Sequence, residues 1–220
     1  MAKLIVIEGV DASGKETQTG LLCSRLESEG KKVVRLSFPD YESTSSALVK
    51  MYLGGELGTE PGAVSPYAAS LFYAADRYIS FKTKWSRLMD QDVYIIADRY
   101  VTSNIIYQGA KFENVDERAA FIDWLCDLEY GRLSLPVPDK VLFLNMEPEA
   151  AAALMAGRNN KITGENKKDI HEKNTDYLRQ VYINAREIAK RLEWTEIKCS
   201  VNGKPRTIED IAGDIAECIL

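Results

Sequence analysis

The chain predicts an α/β fold, a five-stranded parallel sheet with helices on both faces and a short mobile lid. Three observations carry this reading. Five short apolar runs, Leu4 to Ile7, Val33 to Phe38, Val93 to Ala97, Val141 to Leu144 and Glu196 to Val201, read as buried strands. Helical patterns separate them, and the runs are continuous rather than alternating, as in a parallel sheet covered on both faces and joined by right-handed crossovers. The first run then opens through Gly9-Val10-Asp11-Ala12-Ser13-Gly14-Lys15 into a helical pattern from Thr17 to Glu29. Strand, glycine-spaced loop, lysine and helix in that order form a phosphate-binding P-loop, so the fold class is that of the P-loop NTPases.

The chemistry of the loop explains its composition. Glycines let backbone N–H groups close around phosphate oxygens, the helix N-terminus adds positive potential, and Lys15 neutralises charge on a transferred phosphoryl group. Gly9, Val10, Asp11, Ala12, Ser13, Gly14, Lys15, Glu16 and Thr17 are therefore the candidate nucleotide-binding residues, and a nucleoside triphosphate is the expected ligand. The position after the lysine, where a Ser or Thr hydroxyl normally meets magnesium, is Glu16, with Thr17 following it. The alternative is an ordinary strand-to-helix turn.

Bulk composition narrows the class of ligand. At 220 residues, 45% hydrophobic and 28% charged, the chain suits one domain, 1–220, with a full core. A net charge of −5 argues against a protein that coats nucleic acid and leaves room for a locally basic pocket around a small phosphate ligand. Cys23, Cys126, Cys199 and Cys218 are widely separated and form no CxxC pair; with the single His171 they make a poor zinc site or disulfide framework, and buried thiols are expected. No apolar run approaches about 20 residues, and Met1-Ala2-Lys3 leads straight into a strand, so a cytoplasmic enzyme without membrane contact is expected.

The helix after the loop is expected to turn Leu21, Leu22 and Leu26 toward the sheet, with Gly30 as its stop. A second helix starts at Ser65-Pro66, an N-cap followed by proline at the first helical position, and continues to about Trp85. The helix-forming stretch from Ala150 to Ala156 runs into a polar, basic, glycine-punctuated piece, and helical periodicity resumes from Asp169 through Leu192. The piece between, about 157–168, reads as a mobile lid. His171, on the polar start of that last helix, is expected to be solvated.

Three constellations carry chemistry. Asp98-Arg99-Tyr100 ends the third strand, at the carboxyl edge where open α/β sheets bind ligands. Asp98 can hold magnesium, directly or through water, and Arg99 can offer a planar fork to phosphate; a surface ion pair or a helix N-cap at Asp98 is the alternative. Tyr73 and Arg77, four apart on a helix, share a face on which a base can stack, although aromatic residues at helical spacing are commonly core; Phe72 is the core candidate beside them. Arg158, Lys161, Lys167 and Lys168 can close over a triphosphate, or can simply be a solvated loop.

These residues together resemble the thymidylate kinases, a family of P-loop nucleoside monophosphate kinases. The resemblance runs from the Leu4 strand to the Ile208-Glu209-Asp210-Ile211 helix. It is most specific in Glu8-Gly9-Val10-Asp11 with Gly14-Lys15, Phe38-Pro39-Asp40-Tyr41, Ala75-Asp76-Arg77, and Asp98-Arg99-Tyr100-Val101-Thr102-Ser103-Asn104 with Tyr107-Gln108-Gly109. It implies in-line transfer of the γ-phosphoryl of MgATP to dTMP, giving dTDP and ADP without a covalent enzyme intermediate. The implied catalytic set is Lys15, Asp98, Arg99 and Arg158, with Asp98 and Asp11 organising Mg2+. For the acceptor, the resemblance implies that Asp11 faces the sugar and its metal and that Arg99 holds the phosphate. Tyr73 stacks on thymine, Arg77 reads the base, Asn104 lines the base pocket and Tyr107 crowds the sugar 2′ carbon. Phe38 and Tyr41 belong to the Phe-Pro motif on the acceptor side. Asp169 and Glu172 match an acidic pair after the lid, which makes Glu172 a candidate for the sugar or metal region. Relatives form dimers through helices that include the aromatic segment around Tyr73, so a homodimer is expected.

The chain departs from the family pattern at four places. Glu16 replaces the magnesium-binding hydroxyl, Asp40 stands where many relatives carry arginine, and Tyr73 replaces the usual phenylalanine, adding a hydroxyl that needs a partner. Ala12 and Ser13 provide no cation in the loop, which assigns transition-state charge to Arg158 and the lid lysines. Two rival readings follow: a deoxynucleoside or other nucleotide kinase on the same fold, and a nucleotide-binding regulatory protein without turnover.

Overall fold

The computed structural model describes residues 1–155, 170–171 and 174–220. Strands β1 (Lys3–Gly9), β2 (Val33–Ser37), β3 (Tyr94–Asp98), β4 (Lys140–Asn145) and β5 (Thr195–Lys198) form one parallel sheet in the order β2-β3-β1-β4-β5. All five expected strands are present, and the fifth apolar run is divided. The Cys199 N–H donates to the Asn145 carbonyl, 2.9 Å, and the chain then turns away so that β6 (Ser200–Val201) pairs antiparallel with β7 (Lys204–Pro205).

Eight α-helices occur among the described residues: α1 (Lys15–Ser28), α2 (Ala47–Gly54), α3 (Pro66–Ser80), α4 (Val101–Tyr107), α5 (Val115–Cys126), α6 (Pro148–Met155), α7 (Thr175–Arg191) and α8 (Ile208–Ile219). The predicted start of α3 is present as a cap, with Ser65 Oγ accepting from the Ala68 N–H at 3.2 Å, and a π-helical turn, Phe81–Trp85, carries the helix on to Trp85. Helix α7 begins later than its periodicity suggested, because Asn174 Oδ1 accepts from the Tyr177 N–H, 2.9 Å, and caps it there.

The two faces of β1 explain its unbroken apolar run. Leu4 and Val6 face a core with Trp85, Tyr100, Val101 and Phe121, while Ile5 and Ile7 face another with Leu22, Leu26, Ile211 and Ile215. Leu22 and Leu26 are buried as expected. Leu21 is not: it is 40% exposed, since one residue along a helix is a rotation of about 100° and carries the side chain off the buried stripe.

Register decides where the site forms. Ile7 lies beside Asp98, the last residue of β3, and β1 ends two residues further on at Gly9, beside Leu144 of β4, so the P-loop and Asp98-Arg99 are delivered to the same edge. The Phe38 N–H donates to the Asp98 carbonyl, 3.0 Å, and brings the loop after β2 to that edge as well. Leu26→Ala should cost about 2–5 kcal/mol in urea unfolding, because Leu26 is wholly buried, with little change in activity per folded molecule since it lies far along α1 from the loop.

Candidate active site

Glycine is required at the first position of the loop by close approach. A Cβ on Gly9 would lie 2.6 Å from Ser13 Oγ and 2.9 Å from the Leu144 carbonyl oxygen, and the second contact is with backbone that cannot swing away. Gly14, at φ 87°, is the left-handed residue from which α1 starts. Lys15 folds back over the loop and donates to the Val10 carbonyl, 2.7 Å. Burial, and then the positive charge of Arg99, push its ammonium down to about 8, against the opposing pull of Asp11, Asp98 and Glu8. Glu16 and Thr17 are exposed.

A buried carboxylate organises the edge beside the loop. Glu8, with no exposed surface, accepts from the Gly9 N–H at 2.9 Å, from Thr102 Oγ1 at 2.6 Å and from Ser103 Oγ at 2.8 Å. Arg99, in a left-handed backbone conformation at φ 68°, lies 4.0 Å from Glu8, pairs with Asp11 and passes over the Tyr107 ring at 5.3 Å. Burial resists ionisation of Asp11, yet the guanidinium of Arg99 and then the Lys15 ammonium hold its carboxyl down at about 2. Asp98 is 4% exposed, and its Oδ1 is buried with no hydrogen-bond partner among the described residues. Such an oxygen suits a magnesium ion or its bound water, whereas the Asp11 carboxylate is already engaged by Arg99.

Beside this edge lies a cleft with an empty volume of about 540 Å³, its solvent mouth included. Phe38, Tyr41, Tyr73, Arg77, Asn104 and Tyr107 all line it, together with Asp11 and Arg99. Tyr73 meets Tyr52 edge-on at 6.3 Å, and Phe72 packs half-buried against the same ring. The Arg77 fork is turned into the protein, donating from Nε and Nη2 to the two oxygens of Glu129 at 2.6 and 2.5 Å. Burial works against its charge, and the Glu129 carboxylate more than offsets this, so its pKa lies above the ordinary value. Asn104 Nδ2 donates to the Ser70 carbonyl, 3.4 Å. Gln108 is wholly buried, lines the cleft, and neither end of its amide has a partner among the described residues.

The thymidylate kinase family model matches residues 7–210. The chain belongs to the thymidylate kinase family. It is similar to a thymidylate kinase of Mycobacterium tuberculosis, 36% identical over 157 residues covering 70% of this chain and 71% of the relative. It is also similar to that of Plasmodium falciparum, 28% identical over 215 residues covering 98% and 88%. The solved thymidylate kinase of Candida albicans superimposes with a TM-score of 0.72 at 26% identity, covering 99% of this chain and 91% of that one. The activity is that of a nucleoside monophosphate kinase that phosphorylates dTMP, with ATP as the donor the family implies.

Within this thymidylate kinase, the loop residues and the expected acceptor residues other than Glu172 come together at one edge. Arg158, Lys161, Lys167, Lys168, Asp169, Glu172 and the 157–168 lid lie outside the described residues. Asp40 pairs with Lys84, and its backbone N–H donates to Asp76 Oδ2 at 2.8 Å, so its own carboxylate is held outside the cleft lining. Glu8, Glu129 and Gln108 received no role from sequence reasoning. Glu8 and Gln108 sit inside the most specific motifs, and that is the signal by which they could have been found. Glu129 lies in an irregular π-helical turn, Asp127–Arg132, with no such signal.

His171 overturns the expectation of a solvated side chain, being 4% exposed. Ile170 docks on α2, with its N–H donating to the Leu53 carbonyl at 3.3 Å and its side chain among Val49, Tyr52 and Ala69, and this carries the neighbouring imidazole inward. Its Nε2 lies 3.0 Å from the Tyr52 hydroxyl, which also accepts from Lys111 Nζ at 3.0 Å, and the ring stacks on Tyr107 at 5.9 Å. Burial and then the Lys111 charge push the imidazole down to about 3 from 6.5. The unfolded chain therefore takes up the proton first. The stability from this group is complete above about pH 6.5 and is lost as pH falls toward 3, with a slope of up to about 1.4 kcal/mol per pH unit. His171→Phe should flatten this acid limb in urea unfolding measured from pH 7 to 4, and should lower stability at pH 7 by about 1 kcal/mol through the lost Tyr52 contact.

Proposed function

We propose that this thymidylate kinase acts as one domain, 1–220, in which the P-loop holds MgATP and the cleft holds dTMP with its phosphate toward Arg99 and its base toward Arg77. The observation that carries the reading is the single cleft that joins the Asp11–Arg99 pair, beside Lys15, to the buried polar groups of Arg77, Asn104 and Gln108. In-line transfer needs positioning and charge compensation rather than proton relays, and a site built from a lysine, an arginine and carboxylates suits it. Lys15 neutralises the donor phosphates, and its moderate pKa leaves it protonated at pH 7. Arg99 exchanges its Asp11 partner for the acceptor phosphate, which frees Asp11 for the sugar. Asp98 would hold Mg2+ together with the nucleotide phosphates, where the ion supplies charge neutralisation. Tyr73 stacks on thymine, Tyr41 and Phe38 close the acceptor side, Asn104 and the orphaned Gln108 amide meet the polar edge of the base, and Tyr107 lies against the sugar.

The lid, 157–168, with Arg158 as its arginine, closes over the phosphates, and Glu172 joins the sugar or metal region. Apolar side chains exposed on α2 and α3, Leu48, Met51, Leu71 and Ile79, support a homodimer through those helices. Among the described residues no helix is long and apolar enough to cross a membrane. As a kinase of small molecules the protein is expected to work in the cytoplasm without a membrane or nucleic-acid partner.

The deciding experiment is coupled ADP release with MgATP against dTMP, dUMP, UMP, dCMP and GMP, with a control lacking acceptor. Turnover should be strongest on dTMP and should need Lys15: Lys15→Met should lose roughly 100-fold or more in kcat. Equal turnover on all acceptors would overturn the base end of the cleft, and ADP release without acceptor would overturn the kinase geometry. Gln108→Leu removes a buried amide and should raise KM for dTMP roughly tenfold while KM for ATP stays unchanged.

A further inference from the structure

The pair Arg77–Glu129 is the most completely buried charge contact in the described chain, 2% and 0% exposed at its side chains. It is not accounted for by stability alone. Removing both charges from water costs several kcal/mol per ion, and apolar side chains of similar volume commonly fill such sites without loss. What the pair does provide is direction. Glu129 takes the Nε and Nη2 donors in a fork, and the Tyr100 carbonyl takes Nη1 at 3.4 Å. Three of the five guanidinium N–H groups are thereby committed, leaving two for a ligand in the cleft that Arg77 lines. Asn104 Nδ2 reaches the same carboxylate, 3.5 Å from Oε1, so one buried acid lies behind both polar residues at that end.

We propose that Glu129 is a positioning residue for acceptor-base specificity: by holding the Arg77 guanidinium it aims fixed N–H donors into the cleft, favouring a pyrimidine with a 4-carbonyl over one with a 4-amino group. The inference rests on the proposed placement of the base at Arg77. A carbonyl accepts from those donors, whereas an exocyclic amino group sets donor against donor and leaves buried hydrogens unpaired. The carboxylate also keeps the net charge of the pocket floor near zero, which suits a neutral base. Without Glu129 the guanidinium loses the fork that orients it, and the discrimination goes with it.

The test compares kcat/KM for dTMP and dCMP, together with KM for ATP, in wild type, Glu129→Gln, Arg77→Met, Glu129→Leu and the double variant Arg77→Met/Glu129→Leu. Glu129→Gln should raise KM for dTMP and lower the dTMP to dCMP preference, each by roughly tenfold, with KM for ATP unchanged. Because Glu129 acts through Arg77, adding Glu129→Leu to Arg77→Met should leave the preference where Arg77→Met alone puts it. The double variant carries no unpaired buried charge and is the one to rely on if Glu129→Gln melts below the assay temperature. Equal losses on dTMP and dCMP in Glu129→Gln, or a further loss of preference in the double variant, would overturn the proposal and reduce Glu129 to a structural residue. If Arg77→Met keeps the full preference, the base placement itself fails and the inference falls with it.

Discussion

The Glu8 carboxylate is the contact on which the site depends. It is wholly buried at the end of the central strand and accepts from the first N–H of the P-loop on one side and from two hydroxyls in the first turn of α4 on the other. A buried anion is tolerated only when its lone pairs are filled, and here they are filled by groups from two different segments. The strand ends β1 and β3 are thus tied by a side chain as well as by the sheet ladder. Arg99, 4.0 Å away, adds the positive charge that a buried acid needs.

Around that anchor the cleft is a sequence of compensated charges. Asp11 pairs with Arg99, Arg77 with Glu129, and Lys15 lies among Asp11, Asp98 and Glu8. Arg99 and Arg77 are each held by a carboxylate and Lys15 by the Val10 carbonyl, so that side chains are aimed before a ligand arrives. Among the described residues, Asp98 Oδ1 and both ends of the Gln108 amide are buried without a hydrogen-bond partner. The Asp98 oxygen suits a cation or its bound water, and the Gln108 amide, which lines the cleft, suits a polar group of a ligand.

Two of the four departures from the family pattern, Asp40 and Tyr73, have neighbours that accommodate them. Asp40 binds Lys84 at the surface, and the loop it belongs to is held by its backbone through Asp76, which also accepts from Ser45 Oγ at 2.5 Å. Tyr73 finds aromatic company in Tyr52. Asp76, one residue before Arg77, therefore joins the Phe-Pro loop to α3.

The five strands, the P-loop and the family were legible in the sequence because they depend on local patterns: unbroken apolar runs, glycine spacing and short motifs in order. Tyr73 and Arg77 were legible as a pair because helical spacing puts them on one face. The partner of Arg77 was not, since Glu129 is 52 residues away and sits in a π-helical turn that no periodicity announces. The burial of His171 was hidden for a similar reason: its own neighbourhood in sequence is polar, and only the docking of Ile170 on α2 takes it inside. Leu21 failed in the opposite sense, an apolar residue beside the buried stripe rather than in it. The sequence by itself determined which elements form and which chemical groups are available at the carboxyl edge of the sheet. Tertiary structure alone decided which of those charges meet, because pairing across long separations depends on packing of whole elements and leaves no trace in local spacing.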